Sequence, residues 1–288
     1  MVLFAFSHLD PFGSVAEFTD AALRNLRNGG ILSATCTDMA SLMGRNREAF
    51  SRNYDGATTA RTEFAQELSA RVVLGHLARV AARHCKSITP LCVLLSPEGN
   101  CLYLTIRVNR GASKANKSLE MSSTFLRHCL ICQERVFVKL QSWPNELRGK
   151  GEIDYGLTCE CAKTQPGQTF AHAGPLWSDS IFDSDFLAIF QTKIEILDPD
   201  NKALLTTILR ALQESQLVDC PFFFTTMQLR PRDGMIPSLE AIVKELRAQG
   251  FHAARTNLHK KGIRTSATLA QFLQAVESAK EIIFCDNK

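Results

Sequence analysis

The order of apolar and polar positions outlines the first hundred residues. Residues 2–9 predict a buried strand, apolar from Val2 to Phe6. Over residues 16–28, Phe18, Ala22 and Leu26 recur at helical spacing, and Gly29-Gly30 follows as a helix stop. Residues 31–38, "ILSATCTD", predict a second buried strand. Strand, helix and strand in this order predict a βαβ unit with parallel strands. Residues 39–57 read as irregular and basic, with Arg45, Arg47 and Arg52. Residues 58–84 predict one long helix with Phe64, Leu68, Val72 and Leu77 near one stripe. Arg61, Glu63, Glu67 and Arg71 fall on another face, as an ion-pair ladder facing water. Residues 88–95 and 101–108 are apolar strands around "SPEGN", a hairpin signal.

Beyond this core, "GASKANKS" (residues 111–118) reads as a small-polar connector and a domain boundary. A cysteine-bearing segment follows at 125–172, then helical patterns at 183–195 and 202–216. Residues 238–249 predict a helix, followed by a strand, a basic turn and a second short strand, an order that suits a winged-helix-like unit.

Both N-terminal strands end on polar side chains: Asp10 on one, Thr37 and Asp38 on the other. Ligands of open α/β sheets bind along that edge. The stretch Asp10-Pro11-Phe12-Gly13 suits the presentation of an exocyclic amine of a base. The carboxylate accepts the amine's hydrogens, and proline leaves its carbonyl without an adjacent competing donor. The aromatic ring stacks on an extruded base, and glycine lets backbone approach closely. The same residues also suit an ordinary turn.

Cys129-x2-Cys132 and Cys159-x-Cys161 are two close pairs that can converge as four thiolates on one Zn2+, in a structural role. The second pair is one residue tight for a zinc ribbon, and His128 and His172 stand as alternative ligands. Six further cysteines serve equally well as small apolar residues, so unrelated thiols remain the other reading.

The 288 residues are 45% hydrophobic and 22% charged, a globular composition. No apolar run reaches the roughly 18 residues of a membrane span, so no membrane partner is expected. "MVLFAF" lacks the basic flank of a signal peptide, and the expected compartment is intracellular, nuclear or cytoplasmic. The formal charge is +4, which permits a nucleic-acid partner without requiring one. From Leu229 to Arg264, eight Lys/Arg stand against three acids, a local net of +5 that exceeds that of the whole chain. A basic block of this kind fits phosphate contacts, or a solvated face.

Taken together, these stretches resemble the tRNA (guanine-26-N2) dimethyltransferase family. The resemblance rests on "HLDPFGS", the Thr37-Asp38 strand end with "DMASLMGRNREAFSRNY", "RTEFAQELSARVV", the paired cysteines, "GPLW" at 174–177 and "ARTNLHKKGIRTSA". "RNLRNGG", "RTEFAQELSARVV" and "CLICQERVF" are most similar to its dimethyltransferase-like paralogue branch. The resemblance implies S-adenosylmethionine as methyl donor, tRNA as partner and guanine N2 as the acceptor. Asp10 and the Pro11 carbonyl would hold the amine, Phe12 would stack on the guanine, and Asp10 would lie close to the donor. Cys129, Cys132, Cys159 and Cys161 would bind zinc. Thr37, Asp38, Arg45, Arg255, Lys260, Lys261 and Arg264 are the residues expected to face RNA.

The implied fold class is α/β. Residues 1–110 would be the C-terminal part of a Rossmann-like methyltransferase sheet. Residues 111–288 would be an α+β, tRNA-binding domain with a zinc-bearing insertion at 125–172 and a winged-helix-like end. In two respects the chain departs from the family pattern. His8 replaces the acid two places before Asp10, and the family's glycine-rich loop and ribose-binding acid do not precede this strand. The expectation is therefore a C-terminal portion of a longer enzyme, inactive alone. The rival expectations are a non-catalytic RNA-binding zinc module and a protein–protein scaffold.

Overall fold

The computed structural model describes residues 3–58, 61–139, 159–161, 170–217, 220–226 and 236–286. They form two compact units that divide between Asp183 and Ser184.

The first unit opens with β1 (Phe4–Leu9), α1 (Ala16–Asn25) and β2 (Leu26–Cys36). β1 and β2 are parallel, as expected of the βαβ pattern. Gly29-Gly30 does not stop the helix. It lies inside β2, where the register with β1 jumps from Phe4↔Leu26 to Phe6↔Ile31. A Cβ on Gly30 would sit 2.9 Å from the Arg27 carbonyl, so the irregularity needs glycine. The end of α1 is closed by a different residue. The buried Lys86 ammonium donates to the Leu23, Arg24 and Leu26 carbonyls at 2.6, 2.9 and 2.8 Å. A cation on the last helical carbonyls satisfies both their hydrogen bonding and the helix dipole.

Two helices, α2 (Met39–Leu42) and α3 (Arg47–Tyr54), occupy the stretch expected to be irregular. β3 (Ala57–Thr58) precedes α4 (Ala65–Arg83), which starts later than its pattern suggested. β4 (Lys86–Leu95) and β5 (Leu102–Arg110) make the expected hairpin. The sheet order is β1-β2-β5-β4, with β5 antiparallel to both neighbours. Edge position and a register shift let β4 hold Pro90. β1 is the other edge and exposes Phe4 and Phe6.

The segment read as a connector is α5 (Ala112–Ser122), which packs on α4 and β4 through the small residues Ala115, Ser118 and Ser122. β6 (Thr124–Cys129), β7 (Arg135–Lys139) and β8 (Phe170–Leu176) follow. They form an antiparallel sheet of order β3-β8-β6-β7. Gly75 of α4 meets this sheet closely, since a Cβ there would lie 3.2 Å from the Leu176 backbone.

The second unit holds α6 (Ser184–Leu197), α7 (Lys202–Glu214), β9 (Phe224–Thr225), α8 (Leu239–Ala248), β10 (Ala253–Arg255), β11 (Gly262–Thr265) and α9 (Leu269–Asp286). The expected helix, strand, turn and strand are α8, β10 and β11, with β11 central in the order β10-β11-β9. Phe224, Ile242, Leu246, Ile263, Phe272 and Val276 make its core. Among the described residues, no helix is long and apolar enough to cross a membrane.

Candidate active site

The loop from Asp10 to Ser14 leaves the carboxyl end of β1, next to the carboxyl end of β2. Asp10 is exposed, and the Phe12 ring stands wholly in solvent. Gly13 has φ +109°, which L side chains rarely adopt. Thr37 pins the loop. Its Oγ1 accepts the Gly13 N–H at 2.7 Å, and its own N–H donates to the Gly13 carbonyl at 3.3 Å. The hydroxyl's one proton is shared between the Pro11 and Gly13 carbonyls, at 3.3 and 3.4 Å. Thr37, expected to face RNA, is exposed and has its hydroxyl engaged by the loop. It positions Pro11 and Gly13.

Asp38 is half-buried. Its Oδ1 accepts the Tyr54 hydroxyl at 3.0 Å, while Oδ2 is buried with no hydrogen-bond partner among the described residues. Burial raises its pKa above the usual carboxylate range, against the opposing hydrogen bonds of Tyr54 and Asn53. Tyr54 is fully buried, and burial also pushes its hydroxyl up. Tyr103, opposite Thr35 on β5, is part-exposed. Its hydroxyl is pushed up to about 12 by the hydrogen bond with Cys101, by burial and by nearby negative groups that include Asp10. His8 is exposed and pairs with Ser33 of β2.

Next to Asp38, a cavity of about 450 Å3 opens between α2 and the start of α4, with the hairpin glycine Gly99 on its wall. Met39 and Met43 give it an apolar side, and Arg45 and Arg61 give it charge. Thr62 and Gln66 also line it, and Thr62 Oγ1 and Gln66 Oε1 are buried with no partner among the described residues. Arg61 thus lines the same cavity as Arg45 and precedes α4, on which its spacing had put it in a ladder.

The rest of that ladder is not a water-facing one. Glu67 and Arg71 are buried and paired at 2.9 Å. Arg71 also donates to the Trp177 and Asp179 carbonyls at 3.0 and 2.9 Å. The Arg71 carbonyl accepts the Trp177 N–H at 2.9 Å. The arginine therefore ties α4 to the segment after "GPL".

The four paired cysteines converge, with their sulfurs all within 4.8 Å of one another. Cys129 ends β6, and Gln133, at φ +63°, turns the chain back so that its N–H donates to the Cys129 carbonyl at 3.0 Å. Glu134 reaches across to accept the Cys159 N–H at 2.8 Å. Zinc–thiolate bonds of about 2.3 Å in a tetrahedron put sulfurs about 3.8 Å apart, so this donor set fits the metal. His128 and His172, the alternative ligands, are not in the cluster.

In the second unit, Lys260 and Lys261 are exposed on the turn between β10 and β11. Arg264, expected to face RNA, is buried. Its Nε donates to Glu214 at 3.0 Å and Nη1 to the Cys220 carbonyl at 2.7 Å. Glu214 also accepts the Asn257 N–H and Nδ2, at 2.8 and 2.7 Å, so this network holds the turn in place. Arg255 is half-buried, paired with Glu240. Arg230, Arg232 and Asp233 of the basic block lie outside the described residues.

The family model for N2,N2-dimethylguanosine tRNA methyltransferase matches residues 2–277. The chain belongs to that family. Its similarity to the rat tRNA (guanine(27)-N(2))-dimethyltransferase is 29% identity over 93% of this chain and 44% of that protein. To the tRNA (guanine(26)-N(2))-dimethyltransferase of Pyrococcus horikoshii it is 28%, over 95% of this chain and 64% of the other. A solved structure, Trm1 from Pyrococcus horikoshii in complex with S-adenosyl-L-methionine, superposes with a TM-score of 0.74 at 26% identity. That match covers 95% of this chain and 66% of the other. The chain thus spans less than half the length of the rat relative and about two thirds of the archaeal one. The family match runs through nearly the whole chain, and nothing in it supports a part that is inactive alone.

Tyr54, Tyr103 and Arg61 join the site without having been singled out for it. Tyr54 closes the stretch "DMASLMGRNREAFSRNY", which was the available signal for it. Only strand pairing brings Tyr103 to Asp10.

Proposed function

We propose that the protein methylates the N2 amine of a guanosine in tRNA, at position 26 or 27, with these residues presenting the base. The observation that carries this is the Asp10-Pro11-Phe12-Gly13 loop, pinned by Thr37 at the carboxyl end of parallel strands. S-adenosylmethionine would supply an electrophilic methyl group, its S–CH3 bond breaking to leave the neutral thioether S-adenosylhomocysteine. The Asp10 carboxylate and the Pro11 carbonyl accept the two amine hydrogens and so aim the nitrogen. As the nitrogen gains its methyl its proton becomes acidic, and the Asp10 carboxylate is placed to take it. Phe12 offers an open ring face for stacking on a base removed from its helix. Asp38 Oδ2 adds a buried acceptor beside the loop. Arg45 and Arg61 meet the phosphates that flank the extruded nucleotide.

Cys129, Cys132, Cys159 and Cys161 hold a structural zinc in this reading, since four thiolates leave no open position. Residues 1–110 carry the base-presenting sheet and the later residues grip the RNA.

The test is transfer of labelled methyl from S-adenosylmethionine to unmodified tRNA, with guanosine at 26 or 27 replaced in turn. The expected result is N2-methylguanosine at one of the two. Asp10→Asn lowers kcat at least about a hundredfold with tRNA affinity unchanged, the scale of a lost acid–base group. Intact tRNA binding with no methyl transfer overturns the enzyme reading in favour of the RNA-binding zinc module.

A further inference from the structure

The second unit contains a group of cations that the methyl-transfer chemistry does not use. A cavity of about 470 Å3 lies between α7, α8 and β10. Arg210 from α7, Lys244 and Arg247 from α8 and Arg255 from β10 all line it. Among the described lining residues, one acid, Glu240, faces them. The lining is therefore net positive, with Arg210 and Arg255 half-buried and Lys244 and Arg247 exposed. Burial, and then the charge of Arg255, push the Arg210 pKa below the usual guanidinium value. Arg255 pairs with Glu240, yet its Nε is buried with no partner among the described residues.

Folding alone does not reward this arrangement. Like charges gathered around one cavity repel, and Glu240, even with Glu214 also acting on Arg210, leaves the four cations in excess. The arrangement becomes favourable when an anion enters. Arginine forks suit phosphate oxygens, because two N–H groups meet two oxygens at once. Thr206 and Gln213, which also line the cavity, provide neutral polar groups of the kind that bind a ribose hydroxyl. Continuity favours RNA over an acidic protein. Arg255 Nη2 donates to the Lys260 carbonyl at 3.4 Å, so the cavity adjoins the exposed Lys260-Lys261 turn. One positive track runs from pocket to turn, as a sugar–phosphate chain needs.

We propose that Arg210, Lys244, Arg247 and Arg255 form a phosphodiester-binding pocket for an RNA strand, with Glu240 as an internal counter-anion that the phosphate displaces from Arg255. The proposal rests on the tRNA-binding half of the function given above, and not on catalysis. Arg210 lies outside the basic block that the sequence marked, since it comes from α7.

The experiment is a salt series of tRNA affinity for the whole protein, by fluorescence anisotropy. Arg210→Gln with Lys244→Gln is expected to weaken binding about tenfold and to flatten the slope of log K against log salt by about one to two. Glu240→Gln is expected to do the reverse, tightening binding about threefold and steepening the slope, because Arg255 is released. A gain cannot come from misfolding, and Lys244→Gln alone changes an exposed side chain, so the two report even if the double variant fails to fold. Affinity and slope unchanged in Lys244→Gln and Glu240→Gln overturn the proposal. So does a wild-type protein that fails to bind tRNA. Inorganic phosphate that raises the melting temperature, with tRNA binding unaffected by the variants, assigns the pocket to a free anion and also overturns it. If the variants behave as expected while methyl transfer is absent, the pocket stands and the catalytic reading falls.

Discussion

Glu67 and Arg71 show what a single residue's surroundings do to its meaning. Four-residue spacing on a helix is the signature of a solvated ion pair, which is worth about 0.3–0.5 kcal/mol. In this fold the same pair is buried under the "GPLW" segment, and Arg71 also donates to the Trp177 and Asp179 carbonyls. Replacing Arg71 by Met leaves the Glu67 carboxylate buried without that guanidinium, at a cost of about 3–5 kcal/mol. The double change Glu67→Leu with Arg71→Met should lose less than Arg71→Met alone, because no charge is then stranded. Urea unfolding of the three variants measures this, and losses under about 1 kcal/mol for Arg71→Met would restore the water-facing ladder. The sequence could not distinguish the two settings, since the covering residues come from more than a hundred positions away. Asp10 was legible for the opposite reason. Its place follows from its own strand, and that strand's length and polarity are local. Thr37 was legible as a strand end, but its hydrogen bonds to Pro11 and Gly13 needed the β1–β2 pairing.

Among the elements, those with long apolar stripes or runs stand close to where the pattern put them, as β4 and β5 do and as α4 does apart from its later start. Those built from small or polar residues do not. α5 buries Ala115, Ser118 and Ser122, which allow close packing but leave no hydrophobic signal. Gly29-Gly30 carries the same composition in a helix stop and in a strand irregularity, and only the pairing with β1 decides between them. The cysteine cluster was legible in its members, because short spacing sets the sulfurs of each pair close whatever surrounds them. The turn of Gln133 and the Glu134 strap supply what spacing leaves open. About one zinc per chain is expected by elemental analysis of the purified protein. Cys132→Ser should lose most of it, and a chelator should lower the melting temperature of the wild type and leave that of the variant nearly unchanged. Wild-type protein free of zinc, melting alike with and without chelator, would leave the four cysteines as ordinary thiols.

At the scale of the whole molecule, the two units each enclose a core of their own. The second runs from Ser184 to Lys288, long enough for an independent stability of about 5–15 kcal/mol. Phe272 is 1% exposed and packs against Phe224 with ring centroids 5.4 Å apart, at the junction of α9 and the β10-β11-β9 sheet. Phe272→Ala removes a large buried ring at a cost of about 3–5 kcal/mol, a large share of that unit's stability. For a unit of about 100 residues, this lowers a melting transition by about 12–30 °C. Calorimetry of the intact chain should therefore show two transitions, of which Phe272→Ala moves one. The residues proposed to present the base lie in the other unit, so binding of S-adenosylmethionine should survive the change while tRNA affinity falls with the second unit's melting. A single transition that shifts as a whole would mean that the units fold together. Grip and chemistry would then rise and fall as one.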